Sequence, residues 1–233
     1  MSVAVALAEQ LYTVEEYLAF ERAADERHEY LDGYLYKMAG ESGEHADICI
    51  SMAGYTHSQL LGTPCRGRIA NTKVRSGPLP LSPHSRKGLF SYPDFFVVCD
   101  PIKYHDEFRD IVTNPVVIFE VLSPSTEVFD RDLKFARYDR WNPSLMDYLL
   151  VAQDAPKIEH YTRQPKGGWH YRVYRGLETS FEIESIKCRL SLAEVYERVT
   201  FPPPSVPKLR LVPKTKPRST KQTAATTSRS KKK

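Results

Sequence analysis

The chain has 233 residues, 33 Lys and Arg against 29 Asp and Glu, and a composition that is 41% hydrophobic and 27% charged. That length accommodates one packed core of roughly 150 to 200 residues plus a tail, and the composition is ordinary for a soluble globular protein. No apolar run approaches the roughly 18 residues that a membrane helix needs, so no membrane partner is expected.

The start MSVAVALAEQLYTVEEYLAF carries an apolar patch with no basic segment before it and acidic residues soon after, which fits a cytoplasmic location better than a signal peptide. Residues 207–233 hold 10 Lys and Arg and no acid, leaving 23 bases against 29 acids in residues 1–206. An acidic folded unit over 1–206 and a basic, disordered tail over 207–233 are therefore expected. Such a tail can hold phosphate backbones by counterion release, or simply aid solubility. Cys49, Cys65, Cys99 and Cys188 are scattered without metal-ligand spacing and read as reduced, mostly buried thiols.

In chain order, YTVEEYLAFERA sets Thr13 three residues before Glu16, a capping-box pair ahead of a helix with Val14, Tyr17, Leu18 and Phe20 on its apolar side. HEYLDGYLYKMAG places Asp32-Gly33 between two aromatic and aliphatic segments, a hairpin signal. EHADICISMAGYTHSQLLG reads as a helix closed by Gly62, with His45 in its first turn. RGRIANTKVR reads as one strand, and SGPLPLSPHSRKG as a loop that is either able to touch substrate or an ordinary surface insertion.

YPDFFVVCD and VVIFEVL read as two central strands, joined by the charged, Pro-bounded PIKYHDEFRDIVTNP with room for a short helix. SLMDYLLVA, KIEHYTR, GWHYRVYR and SFEIESIKCRLS follow as successive strands, and LSLAEVYERV as a final short helix.

The stretch VVIFEVLSPSTEVFDRDLKFARY, residues 116–138, concentrates the chemistry. In its strand, Glu120 and Leu122 share one side and Val121 the other. SPST ends the strand, and Ser125 or Thr126 can cap a helix through EVFDRDLKFARYDRW. Leu133 and Trp141 can pack there, while Asp130, Lys134, Arg137 and Tyr138 recur at helical spacing along a neighbouring side. If the helix folds back beside its strand, Lys134 reaches the space of Glu120. Asp94 lies early in the preceding strand, and two carboxylates on adjacent strands make an oxygen-rich site suited to Mg²⁺ or Mn²⁺. A strand-end carboxylate is equally the ordinary partner of a structural Lys or Arg, so the residues alone leave both readings open.

The order HEYLDGYLYKMAG, a later His, YPDFFVV, VVIFEVLSPST, DRDLKFARY and LMDYLLV resembles the Uma2 family of the PD-(D/E)XK nuclease superfamily over roughly residues 11–200. The resemblance implies an α/β, restriction-endonuclease-like core with a central mixed β-sheet flanked by helices, and a metal-dependent DNA endonuclease. By position it implies Asp94 as the metal-binding aspartate, Glu120 as the acidic residue of E-x-K, and Lys134 as the lysine. Leu122 departs from the usual lysine position, and this family's helix lysine takes its place. Glu29 and His45 match the family's early acidic residue and helix-start histidine. Glu29 can bind or tune a metal with Asp94 and Glu120, and His45 can contact phosphate or relay a proton. Alternatively, Glu29 pairs with Arg27 or Lys37, and His45 is an N-terminal helix residue with no ligand.

Asp130 and Tyr138, one turn either side of Lys134, are expected to support it. Lys73, Arg75, Arg86 and Lys87 can contact the nucleic-acid backbone. DNA is the expected partner with RNA left open, and a C2 homodimer is one arrangement that would present two sites. Ser123 and Ser125 lack a G-x-S-x-G element and a Ser-His-Asp order, the chain lacks a phosphate-binding G-x-x-x-x-G-K-[ST] loop, and His105, His160 and His170 are too widely separated to suggest zinc. The runners-up are a noncatalytic nucleic-acid-binding module and a structural or regulatory interaction protein that retain the fold.

Overall fold

The computed structural model describes residues 11–201 apart from 39, 70, 80, 81 and 83. The apolar patch of the first ten residues, the tail 207–233 and three positions of the SGPLPLSPHSRKG loop lie outside the described residues.

Helix α1 (Val14–Ala23) begins at the anticipated capping box: Thr13 Oγ1 accepts from Glu16 N–H at 3.2 Å, and Glu16 Oε2 accepts from Thr13 N–H at 2.7 Å. It buries Val14, Tyr17 and Leu18, whereas Phe20 stays at the rim beside Tyr12 and His28. Strands β1 (His28–Leu31) and β2 (Tyr34–Lys37) turn at Asp32 and Gly33, with φ of 48° and 101°, the two positive values that a two-residue hairpin with right-handed strand twist requires. Helix α2 (Gly43–Leu60) follows, capped by the Ser42 side chain accepting from His45 N–H.

RGRIANTKVR is two strands, not one. Strand β3 (Cys65–Ile69) pairs with β6 (Phe95–Cys99), while β4 (Lys73–Ser76) pairs with β5 (Leu89–Ser91) in another sheet. The connection after β6 forms no helix but a short strand β7 (Ile111–Val112), parallel to β4. Strand β8 (Val117–Leu122) lies antiparallel to β6 and parallel to β9 (Asp147–Ala152), and β10 (Lys157–Arg163) and β11 (Trp169–Arg175) extend the sheet. SFEIESIKCRLS is a hairpin of β12 (Ser180–Ile183) and β13 (Cys188–Ser191), before the short α5 (Leu192–Val195).

The central sheet is mixed and six-stranded, in the order β11-β10-β9-β8-β6-β3, and a second sheet runs β2-β1-β5-β4-β7. Side-chain alternation along β8 decides what each face meets. Val117, Phe119 and Val121 pack with Ile48 and Met52 of α2 and with the β12–β13 hairpin and α5. Ile118 and Leu122 face the other way, toward Leu31, Val74 and Leu89 of the second sheet. Helix α1 covers that sheet's far side, its Tyr17 and Leu18 clustering with Tyr30 of β1 and Phe90 of β5. Glu120 shares the Ile118 and Leu122 side, so its carboxylate projects between the two sheets.

The cysteine expectation is corrected at one pair. Cys65 and Cys99 are direct cross-strand partners of β3 and β6 and form a disulfide, while Cys188 is a buried free thiol and Cys49 a half-buried one. The strand register, which brings residues 34 apart in sequence face to face, is what joins them.

Candidate active site

The segment after β8 folds back over its own strand, as the SPST turn suggests. The turn is closed by Ser123, not by Ser125 or Thr126: Ser123 Oγ accepts from Thr126 N–H at 3.3 Å, and its carbonyl oxygen from Glu127 N–H at 2.9 Å. The helix that follows is not uniform. Between α3 (Glu127–Phe129) and α4 (Phe135–Trp141) residues Asp130–Lys134 form a π-helical turn, a distortion often found at functional sites. The Tyr148 hydroxyl of β9 donates to the Asp130 carbonyl oxygen at 2.8 Å, pinning this turn from outside the helix. The turn directs Asp130 and Lys134 inward and leaves Leu133 49% exposed, so the anticipated Leu133 packing does not occur. Trp141 is half-buried, with the Arg140 guanidinium over its ring.

Lys134 is the centre of a buried charge cluster. Its Nζ lies 3.1 Å from Glu29 Oε1, 3.3 Å from Glu120 Oε1 and 3.1 Å from Asp130 Oδ1. Glu29 comes from β1, Glu120 from β8 and Asp130 from the π turn, so two sheets and a helix meet at one ammonium. Tyr138, one turn beyond, donates to Glu120 Oε1 at 3.2 Å and shares a 2.7 Å hydrogen bond with Ser91 Oγ of β5. Tyr92 N–H donates to Glu29 Oε1 at 3.1 Å. Glu29 thus pairs with Lys134 and not with Arg27 or Lys37, and Lys37 holds Glu26 at 2.6 Å instead.

Three carboxylates share one cation, and the proton affinities show the imbalance. Burial raises the Glu29 and Glu120 carboxyls, with Lys134 pulling them down and Asp130 adding repulsion; both end above the ordinary carboxylate range, Glu120 well above. Burial acts to lower the Lys134 ammonium, but Asp130, Glu120 and Glu29 together outweigh it and hold its pKa well above the usual lysine value.

Asp94 stands beside this cluster. The register Phe95↔Phe119, continued by one residue, sets Asp94 opposite Glu120. Its Oδ2 accepts from Val121 N–H at 2.7 Å and its Oδ1 lies 3.0 Å from His45 Nε2. Burial lowers the His45 imidazole, yet Asp94 and Glu41 reverse the shift and leave it raised. Sequence reasoning missed Glu41, Cys49 and Gln153. Glu41, His45 and Cys49 recur every fourth residue, a spacing that signals one helix face. Nothing local singles out Gln153, whose Nε2 donates to Leu122 O at 2.6 Å and lies 3.5 Å from His45 Nδ1.

The backbone-contact candidates divide. Arg86 and Lys87 are exposed before β5, but Lys73 and Arg75 are buried, contrary to expectation. Lys73 bonds Asp110 at 3.1 Å and the Tyr92 hydroxyl at 3.2 Å, while Arg75 lies over the Phe90 ring and donates to Pro78 O at 2.7 Å. Alternation along β4 explains this, because the side opposite Val74 is the one α1 seals. Lys87 lines a cleft of about 380 Å³ with Asp32, Pro78, Arg137, Arg140 and Trp141.

A divalent ion fits the donor set. Glu29, Glu120 and Asp130 carry three carboxylates around the one buried ammonium of Lys134, an excess that a divalent ion would offset.

A family model, "Uma2: Putative restriction endonuclease", matches residues 14–193. Two relatives come from Synechocystis sp. (strain ATCC 27184 / PCC 6803 / Kazusa). "Uncharacterized protein slr1290" is 32% identical over 187 residues, covering 80% of this chain and 92% of the relative. "Uncharacterized protein sll1609" is 30% identical over 178 residues, covering 76% and 96%. A solved structure, titled as that of "a putative nuclease belonging to DUF820 from Anabaena variabilis ATCC 29413", superposes with a TM-score of 0.63 at 16% identity, over 80% of this chain and 98% of that one. That likeness shows a shared mixed α/β fold, and the match across the folded core establishes that the chain belongs to the Uma2 family.

Proposed function

We propose that this chain is a cytoplasmic, divalent-metal-dependent endonuclease hydrolysing DNA phosphodiester bonds. The family description and the neighbour's title support a nuclease-like activity. The observation that carries the reading is Lys134 held among Glu29, Glu120 and Asp130, three buried carboxylates around one ammonium whose excess of two negative charges one divalent ion would neutralise, with Asp94 on the adjacent strand.

Asp94 and Glu120, with Glu29, would hold Mg²⁺ or Mn²⁺. When bound, such an ion lowers the pKa of a coordinated water and offsets charge on the scissile phosphate. Lys134, kept protonated by its carboxylates, orients the attacking water or stabilises charge on the phosphate oxygens. Asp130 and Tyr138 fix Lys134 and Glu120, and His45 relays a proton through its contact with Asp94. Arg86 and Lys87 touch the backbone without reading sequence. Hydrolysis by water needs no covalent enzyme intermediate. The burial of Glu120 and Lys134 favours one second reading, a noncatalytic binding module, because substrate reaches them only if the space between the sheets opens.

The test is cleavage of supercoiled plasmid, linear duplex, single-stranded DNA and RNA with Mg²⁺ or Mn²⁺, with EDTA controls. Cleavage lost in Asp94→Ala and Glu120→Ala, both still folded, supports the reading. Equal cutting by wild type, both variants and Lys134→Ala rejects the site. DNA binding without cutting by any metal form selects the binding module.

A further inference from the structure

We propose that Glu41, His45, Cys49 and Asp94 form a second cation site, selective for a borderline-soft divalent ion of the Zn²⁺ class. The site goes beyond the nuclease reading and shares Asp94 and His45 with it, and an ion bound there takes the His45 Nε2 that otherwise contacts Asp94.

One ligand atom from each residue lies within 4.8 Å of every other, and among the described residues this is the group of His, Cys and carboxylate ligands that converges so. Four ligands bound at about 2.0 to 2.3 Å in a tetrahedron stand roughly 3.3 to 3.8 Å apart. His45 Nε2 is already 3.0 Å from Asp94 Oδ1 and 3.4 Å from Glu41 Oε2, so the remaining closure is a side-chain adjustment of about 1 Å.

The surroundings suit a preformed site. Glu41 and His45 form an i,i+4 pair and Cys49 lies one turn further on, so α2 and the residues just before it line up three ligands. Ser42 holds the His45 backbone, and Gln153 backs the imidazole edge facing away from Asp94. Val121 N–H occupies Asp94 Oδ2, which leaves Oδ1 for monodentate ligation. Glu41 is 55% exposed, giving an ion a route from solvent.

The chemistry of the set excludes Mg²⁺ as its preferred ion. Mg²⁺ takes six oxygens in near-octahedral geometry, whereas an imidazole nitrogen and a sulfur select softer ions. Ligation must release the Cys49 thiol proton to solvent, so apparent affinity rises with pH. With Cys49 as thiolate, the two carboxylates and the ion leave one net negative charge, far less than the same groups would carry alone.

The test uses the full chain in a thiol-free reductant, titrated with Co²⁺ as a spectroscopic stand-in for Zn²⁺. The expected result is binding of one equivalent with a near-ultraviolet thiolate-to-cobalt charge-transfer band. The band should vanish in Cys49→Ser and yield to Zn²⁺ but not to excess Mg²⁺. Glu41→Gln, at an exposed position that the fold tolerates, should weaken Co²⁺ binding about tenfold or more. No binding, binding without the band, or a band that survives Cys49→Ser overturns the proposal. Cleavage is read separately: Mg²⁺-dependent cutting lost in Asp94→Ala, without any cobalt band, sinks this site and leaves the nuclease reading intact. The cobalt signature without cleavage in any metal does the reverse.

Discussion

Replacing Lys134 by Met preserves side-chain length but leaves Glu29, Glu120 and Asp130 buried without their shared cation. At the observed separations of 3.1 to 3.3 Å, each contact carries about 5 kcal/mol of Coulomb attraction at an effective dielectric of about 20. Repulsion among the carboxylates and the cost of burying the ammonium offset much of that sum, so the net loss is about 3 to 5 kcal/mol at pH 8. The sign of the pH dependence follows from the raised Glu29 and Glu120 carboxyls. A raised carboxyl binds more protons folded than unfolded, so its stabilising contribution is full below the unfolded value near 4.5 and disappears as pH rises through the folded one. Without Lys134 both carboxyls rise further, and the gap between variant and wild type should shrink as pH falls from 8 toward 5. Urea unfolding with EDTA present, followed by circular dichroism at both pH values, measures it. A variant within about 1 kcal/mol of wild type at pH 8, or a gap that widens on acidification, refutes the shared-cation account.

Three further outcomes follow from the same geometry. Burial alone would raise Glu159, but Arg131, bonded through both its Nη atoms at 2.6 and 2.9 Å, with Tyr171 and Lys157, brings it down to about 2. Glu159→Gln should therefore cost about 2 kcal/mol at neutral pH, after solvent screening of the partly exposed Arg131, with the loss fading as pH drops from 4.5 toward 2 in a pH series of melting curves. Arg86→Ala with Lys87→Ala should lower the slope of log affinity against log salt by roughly one per phosphate contact removed, measured on duplex DNA by fluorescence anisotropy. Lys73→Ala should instead lower stability by about 3 kcal/mol in urea unfolding, because it strips a buried partner from Asp110 and Tyr92.

Local grammar carries much of the fold. The Thr13–Glu16 cap, the Asp32-Gly33 turn and the β8 strand are legible because each depends on neighbours a few residues away. The meeting of Glu120 and Lys134 is legible for the same reason, since strand, turn and helix follow directly in the chain and can only fold back together.

What the tertiary structure alone decided involves residues brought together from far apart. Residues 65–76 divide between two sheets because their pairing partners, β6 and β5, lie in different sheets. Cys65 meets Cys99 through that register, and Lys73 and Arg75 become interior because α1 closes over their side of β4. The π turn, which selects Lys134 over Leu133 for the interior, answers to Tyr148 on another strand. Glu29 joins the cluster, and Asp94 gains His45, only when the two sheets and α2 assemble. Backbone propensity and side-chain alternation are properties of short segments, whereas burial and charge pairing are properties of the space that separate segments enclose.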